Sequence, residues 1–347
     1  METTLAELSQ SEDENSDLSV TVATTARLHF GFFDPSGRTS RPFGSFGLSL
    51  DGPGTSLTLK HSADDVATGP QAERAARYLR TIANAHTIDR SYRLDVAEAI
   101  PAHAGLGSGT QLALAVGAAF GMLEGLELST SQIARELGRG ARSGIGIATF
   151  ESGGAVLDSG PHGGGLPQLV ARVHFPAPWR TLLIFDPTSN GLDGADELEA
   201  FKTSPGYSEE ERNALERRIL ERALPALEAQ DFDAFCKEVG YLQARMGEYF
   251  APSQDGTYTS PIVGAVLETL RAEGVTGLGQ SSWGPTGFAF ADTEAGAQRL
   301  LAIASEAMRR IDNGSALELV ITKGRNTGAE ISAPHRLASK NLGAADA

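Results

Sequence analysis

The sequence predicts an α+β protein made of two lobes. Its 347 residues exceed the usual size of a single hydrophobic core. Segments of alternating and β-branched residues dominate the first half, and helical patterns dominate the second. A proline-rich seam near residue 178 separates the halves. We therefore predict an N-terminal domain over 21–178 and a C-terminal domain over 179–330, with tails at 1–20 and 331–347.

The composition indicates an ordinary folded protein, with 41% hydrophobic and 21% charged residues. The formal net charge of −15 argues against a nucleic-acid partner, because such proteins usually carry a basic face. Residues 1–20 contain six acidic residues and no Lys or Arg, which is typical of a disordered acidic tail. A tail that recruits a partner is the alternative.

No membrane association is expected from the sequence. Residues 1–20 lack a basic start and an apolar region, so no signal peptide is predicted. The longest apolar run, 112–123, is shorter than the roughly 20 residues that span a bilayer. The single cysteine, Cys236, has no internal disulfide partner and is expected in the core. We expect a cytoplasmic protein.

In the first lobe, two strands are predicted on either side of a loop rich in Gly, Pro, Ser and Arg. A short helix has a capping-box pattern at Ser129 and Gln132 and a glycine stop at Gly138. The predicted order is strands 21–33 and 46–60, helix 71–86, strand 92–97, helices 109–123 and 132–137, and strands 155–157 and 169–175.

In the second lobe, a short apolar strand precedes mostly helical segments. Ser208 and Glu211 form a second capping-box pattern, followed by an apolar helical stripe that we expect to end at Pro225. The predicted elements are strand 181–185, helices 208–225, 232–249, 262–273 and 295–310, two strands within 277–292, and a strand over 316–322.

The most informative segment is PAHAGLGSGTQLALAVGAAFG, residues 101–121, in which a glycine-rich turn leads into an apolar helix. Such a turn lets backbone N–H groups converge, and the helix adds its positive N-terminal end, so phosphate or another anion could bind there. The alternative is a tight strand-to-helix connection in which small residues serve packing. The segment lacks the lysine of a P-loop and the context of a dinucleotide fingerprint.

Three cationic side chains are candidates for the same site. Arg27 and His29 lie two apart on a predicted strand and share a face, with Gly31 keeping that face open. They could hold a phosphate or a carboxylate, although a solvent-facing strand is the alternative. Arg142 lies among glycines, where a guanidinium can fork onto an oxyanion, or it belongs to a surface turn.

PAHAGLGSGTQLALAVG resembles the second motif of the galactokinase, homoserine kinase, mevalonate kinase and phosphomevalonate kinase (GHMP) superfamily. WGPTGFAFAD at 283–292 resembles its third motif, and ARLHFGFFD at 26–34 sits where its first motif should be. This implies a two-lobed GHMP-kinase-like fold, with a ribosomal protein S5 domain 2-like N-terminal lobe and a ferredoxin-like C-terminal lobe. Gly109, Thr110 and Gln111 replace the usual second serine and small residues of the kinase motif, which argues against a kinase-like arrangement of Mg²⁺ and nucleotide.

A narrower resemblance accounts for these departures. ARLHFGFFD, PFGSFGLSLDGP, GLGSGTQ, GRGARSGIGIATFESGGAVLDSG and SSWGPTGFAF together are similar to the β-ribofuranosylaminobenzene 5'-phosphate synthase family. That family implies a pentosyltransferase of tetrahydromethanopterin biosynthesis. It joins phosphoribosyl pyrophosphate to 4-aminobenzoate through a carbon–carbon bond, with loss of pyrophosphate and CO2. A 4-hydroxybenzoate acceptor would make similar demands on the pocket.

The resemblance assigns the candidate residues to roles. Arg27, His29 and Arg142 are the expected catalytic residues. Mg²⁺ is expected to neutralise the pyrophosphate, with Asp34, Glu151 and Asp158 as candidate ligands, and no organic cofactor is expected. The expected substrate-binding residues are Gly105, Leu106, Gly107, Ser108, Gly109, Thr110, Gln111, Ser143, Gly144, Ser281, Ser282, Gly284, Pro285 and Thr286.

The family also implies small-molecule partners and a homodimer. Two other functions stay open at this point: an ATP-dependent GHMP small-molecule kinase that uses the same turn, and a non-catalytic ligand-sensing module that has kept the fold.

Overall fold

Two β-sheets, one in each lobe, organise the chain. The computed structural model describes residues 18–191, 201 and 206–333. Most of the predicted acidic tail and most of the predicted C-terminal tail therefore lie outside the described residues. The strands are β1 (Ser19–Asp34), β2 (Phe43–His61), β3 (Val66–Thr68), β4 (Tyr92–Glu98), β5 (Ala155–Asp158), β6 (Leu169–Val173), β7 (Arg180–Phe185), β8 (Leu278–Gln280), β9 (Gly287–Ala291), β10 (Glu318–Thr322) and β11 (Glu330–Ser332).

Helices cover both sheets. The α-helices of the described chain are α1 (Ala72–Ala85), α2 (Ser108–Glu124), α3 (Thr130–Glu136), α4 (Ile145–Ser152), α5 (Glu209–Arg218), α6 (Leu224–Glu228), α7 (Phe232–Gln254), α8 (Pro261–Ala272) and α9 (Glu294–Arg310). None of them is long and apolar enough to cross a bilayer.

The first sheet has the order β11-β1-β2-β4-β3, and β5 joins β2 to β6. The long strands β1 and β2 pair along most of their length, with register shifts between Thr25 and Arg27 and between His29 and Gly31. Such irregularities change the direction of side chains along a strand. The two site candidates on β1 therefore lie next to its two irregular positions.

Helix α2 is the buried helix that the apolar run predicts. Twelve of its 17 residues are buried. Gly107 and Gly125 flank it in left-handed conformations, with φ of 81° and 69°. The close approach of Ile133 on α3 leaves no room for a Cβ at Gly117. Packing on all sides fixes α2, and with it the position of its N-terminal turn.

The second sheet confirms the predicted ferredoxin-like lobe. Its order is β10-β7-β9-β8, with every neighbouring pair antiparallel. The chain follows the βαββαβ sequence of that fold, with α8 and α9 as its two helices. Helices α5–α7 are inserted between β7 and α8. One core cluster includes Phe30 and Phe46 of the first sheet and Phe288 and Phe290 of the second, so this cluster spans both lobes. Each lobe also has a core cluster of its own.

Several elements differ from the sequence-based expectation. Pro225 does not end the helical stripe, because a π-helical segment (Ile219–Ala223) leads into α6 and Pro225 occupies its first turn, where no N–H is needed. Helix α4, which was not predicted, forms inside the glycine-containing segment GRGARSGIGIATFESGGAVLDSG, and α7 continues through Pro252. The short strands β3 and β11 were not predicted, because their residues show little alternation of polar and apolar side chains. Strand β11 pairs with β1 in the first sheet.

Gln111 holds the start of α2 to its neighbours. Its side chain has no exposed surface. It accepts a hydrogen bond from the Thr24 hydroxyl and donates to the Gly146 carbonyl at 2.8 Å. The predicted substrate contact of this residue would have to replace these internal bonds, and Gln111 does not line the cavity described below.

Replacing Gln111 by Ala should lower the free energy of unfolding by roughly 2–4 kcal/mol, because buried partners on Thr24 and Gly146 lose their hydrogen bonds. Urea denaturation measures the change. Gln298→Ala, at an exposed position on α9, is the matched control and should change stability by less than about 0.5 kcal/mol. Equal effects of the two variants would contradict this structural role.

Candidate functional site

A cavity of about 260 Å³ opens where the N-terminus of α2 meets the second lobe. Its walls come from the glycine turn, from β1, from the loop before α4 and from the loop between β8 and β9. Four arginines line it, and no Asp or Glu does so among the described residues. A concave surface with this charge attracts anions, even in a chain whose net charge is −15. The lining arginines are Arg27, Arg74, Arg139 and Arg142.

The glycine turn presents unused backbone donors to this cavity. Gly105 and Gly107 adopt positive φ values of 77° and 81°, which glycine tolerates and other residues rarely do. The Gly107 carbonyl accepts bonds from the amides of Thr110 and Gln111 at 3.0 Å. The amides of residues 106–109 donate to no group among the described residues. These N–H groups at a helix N-terminus can therefore bind an anion.

The backbone of the glycine turn is in direct contact with the backbone of the β8–β9 loop. A Cβ on Gly105 would lie 2.8 Å from the Gly284 Cα and would collide with the Ser281 carbonyl. A Cβ on Gly284 would collide with the backbone of Ala104 and Gly105. Both positions therefore require glycine. The absence of a side chain at these positions lets the predicted second motif pack directly against the predicted third motif.

Hydrogen bonds fasten this contact to β1. The Ser281 hydroxyl donates to the Gly105 carbonyl at 2.8 Å and accepts from the His29 amide at 3.1 Å. The Ser282 amide donates to the His29 carbonyl at 3.1 Å. Ser281 and Thr286 are fully buried and stabilise the conformation of the loop. Ser282 and Gly284 line the cavity. Pro285 faces a separate cavity.

Arg27 braces the glycine turn from the opposite side. Its guanidinium Nη1 donates to the Gly105 carbonyl at 2.5 Å, and its amide donates to the Leu106 carbonyl at 3.1 Å. The side chain lies against Gly107, where a Cβ would be 3.2 Å from Nε. Arg27 thus combines a positioning role with a positive charge beside the free amides.

His29 is a buried, neutral group at the cavity wall. Only 2% of its surface is exposed, and neither ring nitrogen has a hydrogen-bond partner. Burial lowers the pKa of His29 well below 6.5, and the nearby charges of Arg27 and Arg142 lower it further. The centroid of the His29 ring lies 4.5 Å from the centroid of the Phe32 ring. A neutral imidazole can donate through one nitrogen and accept through the other.

Gly31 does not keep the face of β1 open as predicted. Its φ is 148°, and the Met246 side chain of α7 occupies the space beside it. Glycine is needed here because the second lobe packs directly on β1. The cavity opens beside Arg27 and His29 instead.

Asp158 fixes the loop that carries Arg139 and Arg142. Its Oδ2 accepts bonds from the Gly144 amide at 2.9 Å and from the hydroxyls of Ser45 and Ser143. Its Oδ1 accepts from the Gly160 amide at 2.7 Å. Burial raises the pKa of Asp158. This carboxylate and its partners Ser143 and Gly144 therefore shape the cavity, although only Ser143 among them lines it.

The three candidate Mg²⁺ ligands do not form a cluster. Asp34 accepts bonds from Ser36, Gly37 and Thr39 in its own loop. Glu151 is exposed and lines a different surface cleft. Across the described part of the chain, no group of three or more His, Cys, Asp or Glu residues could hold a metal ion. Mg²⁺ binding by these residues stays a prediction.

Apolar rings form one wall of the cavity. Phe32 and Trp283 line it. The ring centroid of Trp283 lies 3.8 Å from that of Phe250 and 5.4 Å from that of Phe201. The Arg142 guanidinium lies 5.2 Å from the Phe201 ring. An aromatic ligand with an anionic substituent could therefore contact rings and a cation together.

Sequence reasoning missed Arg74, Arg139, His103 and Trp283 as lining residues. Arg139 lies within the GRGARSGIG segment, whose match to a family could have drawn attention to it. Arg74 lies in the first turn of the helix that the sequence predicts over residues 71–86. Nothing local distinguishes it from the exposed arginines of the same helix.

Comparison with known proteins is consistent with this geometry. The GHMP kinases N terminal domain matches residues 71–154, and the GHMP kinases C terminal model matches residues 223–310. The chain is 32% identical to beta-ribofuranosylphenol 5'-phosphate synthase of Archaeoglobus fulgidus, covering 89% of this chain and 98% of the relative. The Methanocaldococcus jannaschii protein of that name is 30% identical, with 89% and 99% coverage.

Solved structures resemble the fold. A homoserine kinase from Cytophaga hutchinsonii has a TM-score of 0.60 at 14% identity, covering 90% of this chain and 97% of that one. Mevalonate diphosphate decarboxylase from Staphylococcus aureus has a TM-score of 0.60 at 15% identity, with 91% and 98% coverage. These likenesses confirm the predicted two-lobed GHMP-type fold.

The buried neutral state of His29 predicts a pH dependence of stability. Below about pH 6.5 the unfolded chain protonates this histidine while the folded chain does not, so stability falls as pH decreases. The slope from this one group approaches about 1.4 kcal/mol per pH unit. His29→Gln should remove that part of the slope in urea denaturation series between pH 7 and pH 5.

His162→Gln is the matched control, because His162 is an exposed histidine. Comparison with wild type cancels the contributions of all other groups. A His29→Gln slope equal to that of wild type would contradict the neutral, buried assignment.

Proposed function

Because the chain belongs to the beta-ribofuranosylphenol 5'-phosphate synthase family, we propose that it condenses phosphoribosyl pyrophosphate with a 4-substituted benzoate. The product is a C-riboside 5'-phosphate, and pyrophosphate and CO2 are released. The relatives' name specifies a phenol, which corresponds to 4-hydroxybenzoate as the acceptor, and 4-aminobenzoate is the alternative. The observation that carries the proposal is the cavity where unused turn amides and four arginines meet an aromatic wall.

The reaction defines what the site must do. The ring carbon that bears the carboxylate attacks C1 of the ribose, and the C1–O bond breaks with its electron pair leaving on pyrophosphate. The bond to the carboxylate then breaks, and its electrons restore the aromatic ring as CO2 departs. No proton has to leave the reacting carbon, and the electrons balance without an organic cofactor.

Departure of pyrophosphate is the step that the glycine turn serves. Negative charge grows on the leaving oxygens, and preorganised donors aimed at that charge are a large catalytic term. The free amides of residues 106–109 are held in place by the buried helix behind them and by Arg27 in front. The turn therefore needs no reorganisation when the bond breaks.

The aromatic wall and Arg142 serve the acceptor. The ring of the benzoate would lie against Phe32 and Trp283, and the guanidinium of Arg142 would bind its carboxylate. The neutral ring of His29 offers a hydrogen bond at the wall without adding positive charge beside the cationic ribose. These side chains orient the attacking carbon and exclude water from the cation.

We expect Mg²⁺ to enter with the pyrophosphate group as part of the donor substrate. The described lining offers arginines for the phosphates and no carboxylate for a resident ion. We place the reaction in the cytoplasm, within tetrahydromethanopterin biosynthesis, and expect a homodimer with small-molecule substrates only.

The lining argues against the kinase alternative. Phosphoryl-transfer sites hold Mg²⁺ with carboxylates and orient the nucleophile with an Asp or an equivalent group. The described part of this cavity has neither, and its first motif contains arginine and histidine where a lysine would serve a kinase. A ligand-sensing module would bind the same substrates without turnover.

Pure protein with phosphoribosyl pyrophosphate, Mg²⁺ and 4-hydroxybenzoate should release CO2 and pyrophosphate in a 1:1 ratio. With acceptor labelled with ¹³C at the carboxylate-bearing carbon, NMR should detect a new carbon–carbon bond to C1 of ribose. A parallel reaction with 4-aminobenzoate shows which of the two acceptors has the higher kcat/KM. Binding without turnover would favour the sensing module, and ATP-dependent phosphorylation of a metabolite would favour the kinase.

Arg142→Ala should lower kcat/KM for the acceptor by about 10- to 100-fold, because one charge-assisted contact is worth about 1.5–3 kcal/mol. The KM for the donor should stay close to wild type in initial-rate measurements. Arg299→Ala, at an exposed position of α9, is the control and should leave both parameters unchanged. An effect of Arg142→Ala on the donor alone would contradict the assignment to the acceptor.

A further inference from the structure

We propose that Arg74, Tyr78 and Arg139 form a clamp for the terminal phosphate of a diphosphate. Arg74 and Tyr78 lie outside the segments that carry the family resemblance. The inference rests on the proposed function, since it assigns part of the donor substrate to these residues. It names a second phosphate position beside the one that the turn amides provide.

Both arginines reach the same point of the turn. Arg74 projects from the first turn of α1, and Arg139 lies in the loop between α3 and α4. The Arg74 guanidinium occupies the space where a Cβ at Gly109 would stand, and Arg139 Nη1 lies 3.6 Å from that position. Glycine at 109 therefore lets two cations approach the free amides of 108 and 109.

Tyr78 holds the two guanidiniums side by side. Its ring centroid lies 5.9 Å from Cζ of Arg74 and 5.2 Å from Cζ of Arg139. The Nε of Arg74 donates to the Tyr78 hydroxyl at 3.0 Å. Tyr78 is only 8% exposed, so its orientation is fixed by the core beneath it. Cation–π contact with one ring brings together two groups that repel each other in the absence of an anion.

The other contacts of these arginines are neutral. Arg74 Nη1 donates to the Gln71 side chain at 3.4 Å, and Arg139 Nε donates to the Leu137 carbonyl at 3.2 Å. Within the described residues, neither arginine forms an ion pair. Arg212, by contrast, is buried against Glu216 at 2.8 Å. Two converging cations without a carboxylate inside a cavity call for an anionic ligand.

A second feature of the cavity also indicates a ligand. His29 is buried at the cavity wall and has no hydrogen-bond partner for either ring nitrogen. Buried polar atoms without partners are rare in folded proteins, and a bound molecule is one way to satisfy them. The cavity therefore holds an unpartnered imidazole in addition to the two arginines that form no ion pair with a described residue.

The number of donors favours a diphosphate over a single anion. The four turn amides can satisfy one phosphoryl group, and two planar guanidiniums can each fork onto the oxygens of another. Arg27 and Arg142 both lie near His29, whose ring packs on Phe32 of the aromatic wall, so we assign these two arginines to the acceptor side. The Arg74 and Arg139 flank therefore receives the terminal phosphate, on the side away from the acceptor.

Isothermal titration of the full chain with inorganic pyrophosphate and Mg²⁺ tests the clamp without requiring turnover. Arg139→Ala should raise the Kd for pyrophosphate about 10- to 100-fold, and Arg74→Ala should do the same. Arg139→Lys should recover only part of the affinity, because an ammonium lacks the planar fork. Arg77→Ala, at an exposed position on the same helix, should bind pyrophosphate as wild type does.

Titration with ribose 5-phosphate distinguishes the other phosphate of the donor. The clamp predicts that Arg74→Ala and Arg139→Ala leave its affinity unchanged. A selective loss of ribose 5-phosphate affinity would overturn the assignment, as would wild-type pyrophosphate affinity in both alanine variants. Unchanged thermal unfolding of the variants separates lost contacts from lost structure.

Turnover adds a readout that separates this inference from the proposed function. Where C-riboside forms, the clamp variants should raise the KM for the donor and leave the KM for the acceptor unchanged. A wild-type protein that binds pyrophosphate through the clamp but forms no C-riboside would overturn the proposed function while supporting the clamp. C-riboside formation by a wild-type protein whose pyrophosphate affinity does not depend on Arg74 and Arg139 would overturn the clamp and leave the proposed function intact.

Discussion

The structure depends on a contact between two backbones from which side chains are excluded. Gly105 of the first lobe and Gly284 of the second approach so closely that a Cβ on either would collide with the other segment. Ser281 and Arg27 bind the Gly105 carbonyl from two sides and hold this arrangement. The contact sets the conformation of the turn, and the conformation of the turn aims its free amides into the cavity.

Electrostatics then determines what the cavity can bind. An acidic protein concentrates four arginines around one turn, while the described lining contributes no carboxylate. The same fold supports kinases, so the fold alone does not set the chemistry. The arginines suit a ligand with several phosphate charges, and the neighbouring aromatic wall suits a flat acceptor. Together they favour pentosyl transfer over phosphoryl transfer.

Much of this could be predicted from the sequence. The apolar run after the glycines predicted the buried helix α2, and capping boxes predicted the starts of α3 and α5. Local patterns could not show that internal hydrogen bonds occupy Gln111 and Asp158. Apart from Gly160 beside Asp158, their partners lie at least 14 residues away in the chain. They could not identify Arg74 or Tyr78 either, because only tertiary packing brings α1 to the turn.

The most direct test of the account is a crystal structure with phosphoribosyl pyrophosphate or pyrophosphate bound. We expect phosphate oxygens within hydrogen-bond distance of the amides of residues 106–109, with the arginine guanidiniums around them. A diphosphate bound elsewhere, for instance in the cavity of about 740 Å³ near Arg180 and Lys323, would contradict it.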